Sequence, residues 1–151
     1  MLLHHNSLRM KLTFLSSTRK RVLTETMKIL IVDQNPEVIT ALKLVLEQKH
    51  GISIIGESSN IIDMFSNFTQ QCPDVVILDV DLQGIKPIRV EANQNLMNLF
   101  KTLHTLCPAV YVIALSYLPN LEHICLQAGA DAFACKSDPP DKLLALLDKF
   151  K

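Results

Sequence analysis

Five short apolar runs recur along the chain, Ile29 to Val32, Ile52 to Ile55, Val75 to Leu78, Val110 to Leu115 and Ala132 to Cys135, and their spacing limits what it can become. The runs are rich in β-branched residues and rarely alternate with polar ones, which suits strands covered on both faces. Between and after them lie segments of helical period. Val38, Ala41, Leu42 and Val45 form the first stripe, Ile61, Met64, Phe65 and Phe68 the second, and Leu96, Leu99, Phe100 and Leu103 the third. Leu121, Ile124, Cys125 and Ala128 continue the series, which closes on Leu143, Leu146, Leu147 and Phe150. Punctuation agrees with this division. Asn35 before Pro36, and Asn60 before Asp63, are helix caps; Asp138 precedes Pro139 at the start of the last helix; Pro73, Pro108 and Gly129 follow the second, third and fourth helices.

Strand and helix thus alternate five times from Met27 to Lys151. Such a stretch is too short for an eight-stranded barrel, so the expected fold is an open, doubly wound (βα)5 parallel sheet, commonly in strand order 2-1-3-4-5. A chain of 151 residues, 48% of them apolar, can bury one core. Its apolar runs of five or six residues cannot cross a membrane.

The formal net charge is zero, but residues 1 to 26 carry five basic side chains against one acid, which leaves the remainder acidic. An acidic domain is a poor ligand for nucleic acid, and no direct nucleic-acid binding is expected of residues 27 to 151. The first 26 residues lack the apolar core of a secretory signal. Their basic, serine-containing character allows a transit peptide or a nucleic-acid-binding arm. The simpler account takes Met27 as the true start and residues 1 to 26 as a poorly ordered extension. Cys72, Cys107, Cys125 and Cys135 form no C-x-x-C pair and no zinc spacing, so they are expected to be buried, reduced thiols of a cytoplasmic protein.

In a doubly wound sheet, ligands bind beyond the carboxyl ends of the strands, where the order reverses. The first strand ends in Asp33, the third in Asp79, the fourth in Ser116 and the fifth in Lys136. Singly, each has a bland explanation: an aspartate after a strand is often a turn former, and a serine or lysine there is often solvated. Four polar groups, each directly after an apolar run, point instead to one pocket holding two carboxylates, a hydroxyl and an ammonium group.

At these residues the sequence resembles the receiver domains of two-component response regulators, whose fold is flavodoxin-like. MKILIVDQNP (Met27 to Pro36) is similar to the family's first strand and acidic turn, and PDVVILDVDLQG (Pro73 to Gly84) to its phosphoacceptor strand. VYVIALS (Val110 to Ser116) is similar to its hydroxyl strand, and GADAFACKSDPPDKLL (Gly129 to Leu144) to its lysine strand and last helix. The resemblance implies that Asp79 takes a phosphoryl group from a phosphohistidine of a sensor histidine kinase or phosphotransfer protein. It implies that Lys136 and Ser116 contact the phosphoryl oxygens and that Phe133 is the switch aromatic. Mg2+ would be held by Asp33, Asp79 and the backbone carbonyl of Asp81. Such a domain is not an enzyme in the ordinary sense; it assists its own Mg-dependent phosphoryl transfer and autodephosphorylation.

Three departures qualify the match. The family's second acid is Gln34 here, whose amide oxygen is a weaker Mg2+ ligand. The usual Pro-Gly turn reads Gln83-Gly84, and Asp79 and Ser116 stand 37 residues apart, several more than the family implies; the surplus is expected in a loop from Ile85 to Asn95. Ser137 follows Lys136 where many members have proline. No helix-turn-helix follows the last helix, so the chain reads as a stand-alone receiver whose output is a downstream protein effector, with a homodimer as one form of partnership. The alternative is a phosphorylation-independent pseudo-receiver, a protein-protein interaction module supported by Gln34. A nucleotide-binding enzyme on this architecture is disfavoured, because no glycine-rich phosphate loop follows the first strand.

Overall fold

The computed structural model describes residues 25–82 and 90–151, the first three residues of the second stretch by their backbone alone. The expectations for residues 1–24, the Gln83-Gly84 turn and residues 85–89 lie outside them. The elements run β1 (Met27–Val32), α1 (Pro36–Glu47), β2 (Ile52–Ser58), α2 (Ile61–Gln70), β3 (Val75–Asp79), α3 (Val90–Leu106), β4 (Tyr111–Ser116), α4 (Glu122–Ala128), β5 (Ala132–Cys135) and α5 (Pro140–Asp148). A single 3-10 turn, Pro119–Leu121, leads into α4. All neighbouring strands pair in parallel, in the order β2-β1-β3-β4-β5.

The unbroken apolar runs explain why the sheet is covered twice. Side chains alternate across a strand, so Leu30, Val32, Val76, Leu78, Val112 and Ala114 face one layer. There they meet Met64 and Phe68 of α2, Leu96, Phe100 and Leu103 of α3, and Cys125 of α4. The intervening residues Ile29, Ile31, Val75, Ile77, Ile113 and Leu115 face the other layer, formed by Leu42 and Leu46 of α1 and Leu143 and Leu147 of α5. Every residue of β3 is buried, as befits the central strand. The helix ends follow from local chemistry. The Asn35 side chain accepts from the Glu37 N–H, and that of Asn60 from the Asp63 N–H. Gly129 closes α4 at φ 111°, a left-handed conformation that a side chain would resist.

Three expectations need correction. Val90 to Asn95 begin α3 and are helical, so this half of the anticipated loop is absorbed into the third helix. The last helix starts at Pro140 with Pro139 as its cap; Asp138 instead turns back to accept from the Cys135 N–H. Cys72 and Cys107 are neither both buried nor reduced: Cys72 is exposed, and the two form a disulfide with their Cα atoms 5.7 Å apart. Each lies just before a proline in a segment feeding β3 or β4. The parallel pairing of those strands, Val75 against Tyr111, brings the two segments together across 35 residues of sequence. Cys125 and Cys135 are free and buried, as anticipated. No helix among the described residues is long and apolar enough to cross a membrane.

Candidate functional site

Parallel strands that end side by side deliver their next residues to one edge. Asp33 follows β1, Asp79 ends β3, Ser116 ends β4 and Lys136 follows β5. The backbone holds these ends in register, because the Val80 N–H donates to Leu115 O at 2.9 Å and the Lys136 N–H to Ser116 O at 2.8 Å. Asp33 and Ser116 are fully buried and Asp79 is 1% exposed, so their polar atoms need partners inside the protein.

Lys136 provides the principal one. Its Nζ lies 2.8 Å from Asp33 Oδ2 and 3.2 Å from Asp79 Oδ1, with a side chain only 5% exposed. It also sits 4.8 Å from the centroid of the Tyr117 ring, whose face favours a cation. Asp33 Oδ1 accepts from the Asn35 N–H at 2.8 Å, which ties the first strand end to the start of α1. Asp79 Oδ1 also accepts from the Asp81 N–H at 2.8 Å. A cleft of about 310 Å³ between α1 and α5 opens beside this group, lined in part by Asn35, Leu42, Tyr117, Lys136 and Leu143.

Two carboxylates share one ammonium, and the protonation equilibria reflect the imbalance. Burial pushes the Asp79 carboxyl above the ordinary carboxylate range; the Asp81 N–H and Lys136 oppose this, while the Asp33 charge adds to it. Burial alone would lower the Lys136 ammonium, but its bond to Asp33 and the charges of Asp79 and Asp33 prevail and raise it above the ordinary lysine value. Burial, aided by the Asp81 charge, pushes the nearby Cys125 thiol up to about 11, which leaves it unreactive at neutral pH.

The pairing of Asp33, Asp79 and Lys136 matches the expectation from sequence, but Ser116 differs in detail. Its Oγ–H donates to Asp81 Oδ1 at 2.8 Å, and its oxygen accepts from the Leu118 N–H at 3.0 Å. The other oxygen of Asp81, Oδ2, accepts from the Tyr117 N–H at 3.1 Å. Sequence reasoning gave Asp81 only a backbone role, and it missed both this carboxylate and the Tyr117 ring. The available signals were the second acid of the Asp79-Val80-Asp81 run and an aromatic directly after the hydroxyl residue. Gln34 is exposed. Phe133 is partly buried on β5 and packs against the core layer of α2, α3 and α4.

The donor set suits a hard cation. Asp33 Oδ2 is fully buried and faces the Lys136 ammonium at 2.8 Å, with no other donor on it among the described residues, so it keeps lone-pair capacity for a cation. Among the described residues no group of three or more acidic, histidine or cysteine side chains is arranged around a common metal position. Asp33 and Asp79 supply the one or two carboxylates that Mg2+ commonly takes before completing its shell with water and phosphate.

Comparison with known proteins bears on the same residues. The signature described as "Response regulator receiver domain" matches residues 29–148. The transcription regulator of virulence factors BvgA of Bordetella pertussis is 29% identical over 112 residues, which cover 74% of this chain and 49% of that protein. A transcriptional regulator of Pseudomonas aeruginosa is 30% identical over 117 residues, covering 78% of this chain and 53% of its own. The chain therefore spans about half the length of these curated relatives. Their names include transcription regulators, so the expectation of no direct nucleic-acid binding gains no support from them. A response regulator from Thermotoga maritima has the same fold, with a TM-score of 0.67 at 24% identity over 83% of this chain and 97% of that one.

Proposed function

Because the chain belongs to the response regulator receiver domain family, we propose that it works in phosphorelay signalling by accepting a phosphoryl group on Asp79. One observation carries this reading: Asp79 and Asp33, buried at two strand ends, share the Lys136 ammonium at 3.2 and 2.8 Å. The donor is a phosphohistidine of a sensor histidine kinase or phosphotransfer protein. A carboxylate oxygen of Asp79 forms the new P–O bond while the P–N bond breaks, and the released imidazole takes up a proton. Phosphoryl transfer of this kind depends on positioning and on neutralising oxygen charge rather than on a strong nucleophile. Burial helps, since a carboxylate with a raised pKa is a more basic nucleophile once ionised. Lys136 lies close enough to follow a phosphoryl oxygen on Asp79 and balance its charge. Bound Mg2+, held by Asp33, Asp79 and the Asp81 carbonyl, would supply further neutralisation.

The output is a change of partner-binding face toward a downstream protein effector or a second copy of the chain, with Phe133 as the reporting aromatic. A cytoplasmic location and no conventional enzyme activity accompany this reading; the Cys72–Cys107 disulfide, of a kind rare in that compartment, counts against the location. A second reading, a phosphorylation-independent interaction module, is favoured by the exposed Gln34 and by the commitment of the Ser116 hydroxyl to Asp81. Incubation with acetyl phosphate and Mg2+ followed by intact mass separates the two. The receiver gains the mass of one phosphoryl group, and Asp79→Asn does not. Absence of that gain at every Mg2+ concentration supports the interaction module.

A further inference from the structure

The Asp81 carboxylate occupies the donors that an acidic group on Asp79 would need. Its two oxygens take the Ser116 hydroxyl proton at 2.8 Å and the Tyr117 N–H at 3.1 Å, both from the segment that ends β4. The Ser116 oxygen is engaged as well, since it accepts from the Leu118 N–H. The hydroxyl therefore has no proton to offer a newcomer until Asp81 lets go. Asp81 is also tied to the acceptor itself, because its N–H donates to Asp79 Oδ1 at 2.8 Å. A carboxylate and a phosphoryl group both present oxygens spaced to receive two converging donors. Adjacent N–H and O–H groups that hold the one are suited to hold the other.

We propose that Asp81 is an internal stand-in for the phosphoryl oxygens, which keeps Ser116 and Tyr117 occupied and must be displaced before the group on Asp79 can be gripped. This rests on the reading of Asp79 as phosphoacceptor. Charge sets the direction of exchange. The incoming group carries more negative charge than the carboxylate it replaces and repels it, while Ser116 and Tyr117 change partners without losing hydrogen bonds. Asp81 is only partly buried, so its side chain can reach water on leaving. Displacement thus cuts the bridge between the segments after β3 and β4 and moves a negative charge outward, which gives a partner a difference to read.

The test measures the rate of phosphoryl uptake from acetyl phosphate at saturating Mg2+ by intact mass, in the full chain. Asp81→Ala is expected to react about 5- to 10-fold faster than the native protein, in line with the release of one hydrogen bond of ordinary net strength. Asp81→Asn, which keeps the shape but places an amide against the Tyr117 N–H, should gain less and carries the test if the alanine variant does not fold. The decisive comparison uses a Ser116→Ala background, where the gain from Asp81→Ala should shrink below about twofold because the blocked donor is gone. Uptake by Asp81→Ala with none by the native protein is the extreme form of the expected result. Equal or slower uptake in Asp81→Ala while Asp79 is phosphorylated overturns the stand-in and leaves the acceptor reading intact. An undiminished gain in the Ser116→Ala background also overturns it, since loss of charge alone would then account for the effect. No uptake by any variant removes the acceptor reading, and the stand-in with it.

Discussion

Replacing Lys136 with methionine tests the electrostatic account of the site most directly. The ammonium lies 2.8 Å from Asp33 and 3.2 Å from Asp79. With an effective dielectric constant of about 20, these distances correspond to gross attractions of about 6 and about 5 kcal/mol. Much of that offsets the cost of taking three charges out of water. The measurable quantity is the cost of leaving two buried carboxylates without their cation, about 3–5 kcal/mol. Against a typical domain stability of about 5–15 kcal/mol, the variant should fold but only marginally. The pH dependence supplies the sharper check. The Asp79 pKa is already raised by burial, and removing the ammonium raises it further. The native state of the variant then binds more protons than the unfolded chain between the ordinary carboxylate value and the raised one. Its stability therefore falls as pH rises through that window. Urea unfolding followed by far-ultraviolet circular dichroism is the suitable assay, because the chain has no tryptophan. Lys136→Met should lose more stability at pH 7.5 than at pH 5, and adding Asp79→Asn should restore much of it. A cost below about 1 kcal/mol, or one that is equal at both pH values, would refute a buried shared cation.

Asp79→Asn alone should stabilise the protein at pH 7: the penalty for a buried charge, absent in acid, grows as pH climbs past the ordinary carboxylate value and is complete above the raised one. Thermal melts at pH 3.5 and 7 check this through a difference that opens toward neutrality. Reducing the Cys72–Cys107 disulfide, which closes a loop across 35 residues, should cost about 2–4 kcal/mol in urea unfolding. The same treatment should leave a Cys72→Ser, Cys107→Ser double variant unchanged.

The fold was legible because the strands are short apolar runs that a doubly covered sheet requires, and their ends carried the site with them. Asp33, Asp79 and Lys136 could be placed together from topology alone. What escaped depends on side-chain direction or on contacts between loops. Asp81 and Ser116 meet only because the connection after β3 turns toward the end of β4, and no periodicity encodes that turn. Cys72 and Cys107 are brought together in the same way at the opposite edge of the sheet. The start of α3 at Val90 was hidden because its first turns show little apolar period, and the stripe becomes visible only from Leu96.

The acids and the lysine of the site come from the beginning, middle and end of the domain, and none has its oppositely charged partner nearby in sequence. A half-made or locally melted sheet therefore has no reactive centre: Asp79 would be an ordinary solvated aspartate, and Lys136 an ordinary surface charge. On the acceptor reading proposed for Asp79, competence to receive a signal would thus report on the integrity of the whole domain. A damaged or unfinished copy is silent by construction, without any separate mechanism to disable it.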